Sequence, residues 1–167
     1  MDLHYCLYDT WEPGTAAHAE ATLFQVAEGG DSTHTEQYTN MRGAGSLPNA
    51  ERFLVKRVHL IQDENVTDAD FDTYLYGAIV EMRVKDKTMF KVPAQMLFSH
   101  SAKSGHFAQA TAADAEFIGP MGDGWALEIP IEIPPGAPFK VRCKQGGAFA
   151  TTISFKVVLE GILSTPD

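Results

Sequence analysis

The sequence predicts an all-β fold: an antiparallel β-sandwich of jelly-roll type, with about eight strands and minimal helix. Three observations lead there. Apolar and polar residues alternate at period two through several segments. No strand–helix–strand rhythm separates them, which argues against a parallel α/β sheet. Proline and glycine punctuate the segments where a two-layer β protein needs corners.

The alternation is clearest near the C-terminus. In WALEIPIEI (125–133), Trp125, Leu127, Ile129, Ile131 and Ile133 share the inward face. Phe139, Val141 and Cys143 alternate with Lys140, Arg142 and Lys144. In 151–163, Ile153, Phe155, Val157, Leu159 and Leu163 oppose Ser154, Lys156 and Glu160. These read as half-buried strands of an antiparallel sheet. Pro130 cannot donate to a ladder, so it belongs at an edge, a bulge or a crossing. Pro134-Pro135-Gly136 ends that strand and turns the chain, and Pro138 launches the next.

Earlier strands are expected at 21–26 (ATLFQV), 52–62 (RFLVKRVHLIQ) and 74–84 (YLYGAIVEMRV). Lys85-Asp86-Lys87 turns into 88–92 as a hairpin. Two stretches have short-helix character. One is TDADFD (67–72), with Thr67 as an N-cap; the other is the alanine-rich segment within 107–118, which reads alternatively as a loop with one weak strand. The polar, glycine-containing stretch 31–50 reads as a long loop.

With 167 residues and 44% apolar content, the chain suits one domain over 1–167 with a core of its own. No apolar run is long enough for a spanning helix, which needs about 18 residues. The first ten residues lack a basic start and an apolar stretch, so no signal peptide is expected. Thirteen Lys and Arg against 22 Asp and Glu give a net charge of −9. That balance opposes direct nucleic-acid binding and favours solubility. Cys6 and Cys143 lie too far apart for a zinc knuckle or a disulfide framework. Cys143 reads as a buried thiol.

No catalytic, cofactor-binding or metal-binding residue is expected from the motifs. The six histidines form no HxH, HExxH or HxxxH, and His100 and His106 share only a Ser/Gly/Lys loop. His59 sits in a strand. Asp68, Asp70 and Asp72 are spaced like the start of a calcium loop, but Thr73 and Ile79 stand where glycine and glutamate are needed. IPPGAPF resembles the second cupin motif, yet Phe139 occupies the ligand position and no upstream HxH exists, so an enzyme of that type lacks its Lewis acid. GxSxG, SxxK, a Walker lysine and GxGxxG are absent, and no carboxylate pair stands out. Trp125 lies on the apolar register, whereas Trp11, in DTWEPG, is freer to be exposed and to stack on sugar.

Five segments taken in order carry a resemblance. They are TLFQV, then a polar loop holding TNMRGAGSLP, then RFLVKRVHL, then EIPIEIPPGAPFKV, and a last strand closing as VVLEGILSTP. This arrangement resembles the jelly-roll capsid proteins of tailless icosahedral phages. It is most similar to the small major capsid protein of internal-membrane viruses that build their shells from two single-jelly-roll proteins. The resemblance covers about two thirds of the chain and rests on turn residues at matching places. It implies strands standing roughly perpendicular to the capsid surface, and pseudo-hexameric capsomers shared with a second, larger capsid protein. It also implies a shell lying over an internal viral membrane, with location in the virion and no catalytic residues.

The expected function is therefore a structural capsid subunit, assembling as a homo-oligomer and with a companion through jelly-roll sides and loops. A rigid sandwich with guarded edges suits that task. Contact candidates are Tyr5, Leu7, Tyr8 and Trp11 in a candidate N-terminal interaction arm (1–20), and Tyr38, Met41 and Leu47 in the long loop. The competing expectation is that residues 1–20 pack on their own sandwich as another strand. The alternative function is a carbohydrate- or receptor-binding β-sandwich, such as a spike or minor virion protein.

Overall fold

The computed structural model describes residues 1–13, 15–16, 18–62, 77–97, 124–149 and 154–166. Among them are β1 (Asp2–Trp11), β2 (Glu20–Leu23), β3 (Arg52–Gln62), β4 (Ile79–Val84), β5 (Lys87–Pro93), β6 (Trp125–Ile133), β7 (Phe139–Lys144) and β8 (Phe155–Ser164). A single 3-10 turn, Ala94–Met96, follows β5. The helices expected at 67–72 and in the alanine-rich segment lie outside the described residues, as do His100 and His106. No helix among the described residues is long and apolar enough to cross a membrane.

The strands form two antiparallel four-stranded sheets, in the orders β1-β8-β3-β6 and β2-β7-β4-β5. Among the described strands, only β4 and β5 are sequence neighbours within one sheet; every other consecutive pair is divided between the two. The result is an antiparallel β-sandwich, as the alternation predicts. Its core draws on both inner faces: Leu7 and Trp11 of β1, Phe53, Val55 and Val58 of β3, Val80 and Met82 of β4, Val141 and Cys143 of β7. The inward register of β8 is as read from sequence, with Phe155, Val157, Leu159 and Leu163 all buried.

The corner after β6 follows its residues. Pro135 and Gly136 occupy the middle of a turn in which the Ala137 N–H donates to the Pro134 carbonyl at 3.1 Å. Gly136 has φ 63°. Proline second and a left-handed glycine third is the pattern of a type II turn.

Three local readings change. β2 stops at Leu23 instead of running to Val26, because Phe24 takes φ 65°. That is an uncommon conformation for a bulky residue, and the Asp9 carboxylate accepts the Phe24 N–H across the core. Asp9 is buried on the inward side of β1. Burial pushes its carboxyl up, while the backbone N–H groups of Phe24 and Thr10 partly offset the rise.

The second change is in β6. Val55 pairs with Ile131 and Arg57 with Ala126, so Lys56 alone spans the interval that holds 127–130 on β6. The strand leaves the ladder there, and Pro130, which has no N–H, sits in the excursion. Ile129 is consequently 82% exposed and not on the inner face where alternation places it.

Third, the N-terminal residues are a strand. β1 pairs with β8 from Asp2↔Ser164 to Trp11↔Phe155. The Met1 ammonium donates to the Thr165 carbonyl at 2.7 Å, and the Thr165 N–H donates to the Met1 carbonyl at 2.9 Å. Asp2–Trp11 thus pack on their own sandwich as a strand.

β8 is the strand on which the first sheet depends, since β1 and β3 both pair along its length. At its centre, Gly161 faces inward opposite the irregularity in β3. A Cβ there would lie 1.9 Å from the Leu54 carbonyl oxygen. That oxygen belongs to backbone and has little room to move. Gly161→Ala is expected to cost about 1–3 kcal/mol or more through overpacking. Urea denaturation measures this, and a loss under about 0.5 kcal/mol would show that β3 yields freely.

Candidate interaction surfaces

The sandwich offers two outer faces and two pairs of edges. The outer face of the β2-β7-β4-β5 sheet carries a cross-strand ladder of ions. Arg142 of β7 donates through Nε to Glu20 of β2 at 2.8 Å and through Nη1 to Glu81 of β4 at 3.3 Å. Glu81 also accepts the Thr88 hydroxyl at 2.8 Å and faces Arg83 Nε at 3.2 Å. Hydrogen bonding from Arg142 holds the Glu20 carboxyl below its ordinary value. The exposed Arg142–Glu20 pair contributes little stability, whereas the Glu81 carboxylate is largely covered.

The outer face of the other sheet centres on Glu160. One carboxylate oxygen lies 3.0 Å from His4 Nε2 of β1, and the other lies 2.7 Å from His59 Nε2 of β3. One side chain thus ties the three strands β1, β8 and β3. Partial burial raises the Glu160 carboxyl, but the hydrogen bonds with His59 and His4 outweigh it, and the group sits below its usual range. Cys6 stands opposite Glu160 in the ladder. Partial burial and then the Glu160 charge push its thiol up, while complete burial raises that of Cys143. Upward shifts are the opposite of what a nucleophilic cysteine needs. Among the described residues, no three His, Cys, Asp or Glu side chains group so as to hold a metal ion.

The structure divides the seven sequence-predicted contact residues by burial. Leu7, Trp11, Met41 and Leu47 are buried in the core of their own chain. Trp11 packs on Phe155 with ring centroids 5.5 Å apart. This departs from the expectation of an exposed Trp11, because Trp11 ends β1 on its inward side. Tyr5, Tyr8 and Tyr38 are half-buried where the long loop meets β1. The Tyr8 hydroxyl donates to the Glu36 carbonyl, and Lys156 Nζ lies 5.4 Å from its ring centre. The Tyr38 hydroxyl donates to Glu12 at 2.8 Å.

Asn40 explains why this edge is closed. Its side-chain oxygen accepts the Tyr8 N–H at 2.8 Å, and its amide group donates to the Cys6 carbonyl at 2.7 Å. Its own N–H donates to the Tyr8 carbonyl at 3.3 Å, beside the Thr39 hydroxyl at 3.1 Å. One residue of the loop stands in for a neighbouring strand. Covering an edge in this way discourages uncontrolled pairing.

The opposite side is different. β6 and β5 are the outer strands of their sheets, and a groove of about 780 Å³ runs between them. The Phe90 and Trp125 rings meet edge-on on its floor, with centroids 5.3 Å apart. Leu127 and Ile131 add apolar surface, while Lys87 on β5 and Glu128 on β6 stand at the rim. Sequence reading missed this site. Pro130 pointed to an edge or bulge, but alternation assigned Ile129 inward, and nothing local reveals which strand it will lie beside.

Compared with known proteins, the chain matches no protein-family model, no curated protein and no solved structure.

Proposed function

We propose that this chain is a structural capsid subunit of single-jelly-roll type, located in the virion. The observation that supports it best is the order of the described strands, β1-β8-β3-β6 facing β2-β7-β4-β5, in which only β4 and β5 are consecutive within one sheet. That order is what two interleaved Greek keys produce, and it agrees with the jelly-roll reading. The unequal edges suit a building block. One flank is sealed by Asn40, and the other presents apolar relief. On this reading the chain assembles with copies of itself and with a larger companion, over an internal viral membrane. Its acidity needs no nucleic-acid partner.

Electron cryo-microscopy of particles from the source tests the proposal. The expected result is this sandwich repeated on an icosahedral lattice. Particles whose shell density fits no copy of it would overturn the reading.

The groove favours a second reading, a carbohydrate- or receptor-binding sandwich. Trp125 on an apolar floor with a carboxylate at the rim has the character of a sugar site. Retention on a glycan array that is lost in Trp125→Ala would support it.

A further inference from the structure

The geometry points to a two-fold contact between copies of this chain, made by the β5–β6 flank. The inference goes beyond the shell reading and does not depend on it, since two copies suffice. It starts from the excursion in β6. Residues 127–130 leave the ladder opposite Lys56, and Ile129, at 82% exposure, is the most exposed large hydrophobe of the core-forming strands. An isolated exposed isoleucine is ordinary on a protein surface. Here it lines an open groove of about 780 Å³ together with Phe90, Trp125 and Leu127. A projecting knob and a recess therefore occupy one patch.

That adjacency selects the occupant. A surface carrying both halves of a contact is self-complementary under a two-fold axis, each Ile129 entering the recess of the other copy. Knob and recess on distant surfaces would instead make a head-to-tail contact, which closes only into rings or runs on as a filament. The rims repeat the pattern. The β6 rim is acidic through Glu128 and the β5 rim is basic through Lys87. Seating β6 of one copy between β5 and β6 of the other brings Glu128 of one towards Lys87 of the second, twice over. Like-signed rims would repel. Pro130 and the broken ladder disfavour simple strand addition, so the contact is made by side chains. An interface limited to one flank is small, and its dimer is concentration-dependent.

Sedimentation velocity of the full chain across a dilution series reads the equilibrium. The expected result is a reversible monomer–dimer shift. Trp125 fluorescence should move to the blue as the dimer forms, because Trp11 is already buried and its signal stays constant. Ile129→Ser lies at an exposed position and should leave the melting curve intact while weakening the dimer at least about tenfold. Lys87→Glu and Glu128→Lys should each weaken it, and the double exchange should recover most of the loss. A wild-type chain that stays monomeric at every concentration overturns the proposal. So does open-ended association, an Ile129→Ser dimer as tight as wild type, or a double exchange no better than the single ones.

Discussion

Deleting residues 1–11 is expected to unfold the domain. β1 is paired with β8 along ten residues, and the deletion removes Leu7 and Trp11 from the core. Truncating a buried leucine to alanine costs about 2–5 kcal/mol and a tryptophan about 3–5 kcal/mol. Together these approach the whole stability of a typical domain, about 5–15 kcal/mol. The deletion also strips β8 of one ladder, takes Glu160 away from His4, and leaves the Phe24 N–H without the Asp9 carboxylate. Far-ultraviolet circular dichroism during heating checks this. A truncated chain that still melts cooperatively within a few degrees of the intact one would place β1 outside the core. Assembly defects in such a deletion would reflect unfolding, so contacts are better probed by single surface substitutions.

Phe155→Ala is expected to cost about 3–5 kcal/mol. Phe155 opens β8 on its inward face and is fully buried. It lies between Trp11, at 5.5 Å between ring centres, and Phe149, at 6.2 Å. In the ladder it stands opposite Trp11 on one side and Gln62 on the other. Its removal leaves a cavity walled by two large rings attached to different parts of the fold, which cannot close over it easily. Lys156→Ala is the control. That side chain points to the opposite face, where its recorded contact is with the Tyr8 ring, worth about 0.5–1 kcal/mol. Equal losses for the two variants in urea denaturation would mean that β8 is inverted, since a one-residue slip exchanges every inward side chain for an outward one.

Strand positions were legible where alternation is strong. β3, β7 and the inward face of β8 follow directly from their sequences. The turn at Pro134–Ala137 was legible for a different reason: proline and glycine carry their backbone preferences with them. Both signals are local, and neither requires knowledge of a neighbouring strand. The end of β2 was not legible, because what holds Phe24 in a left-handed conformation is a carboxylate 15 residues away. Neither was the cluster on Glu160, whose His59 partner is 101 residues distant.

Candidate surfaces divide in the same way. Aromatic and apolar residues in an aperiodic N-terminal stretch gave reason to expect contacts there. Tyr8 and Tyr38 hydrogen-bond within the chain where the long loop folds back onto β1, and Trp11 packs on Phe155 of the paired strand β8. Ile129 has the same alternation as Ile131 and Ile133, yet it faces solvent, because β3 offers only Lys56 against four residues of β6.

By itself, the sequence determined the all-β, two-layer class, the position of most strands and the inward face of most of them, because a side-chain period of two and the turn residues are properties of the chain within a few positions. Tertiary structure alone decided the strand order, which edges are closed, and where the β6 ladder breaks. Those depend on pairing between residues far apart in sequence, and pairing energy exists only once both strands are in place.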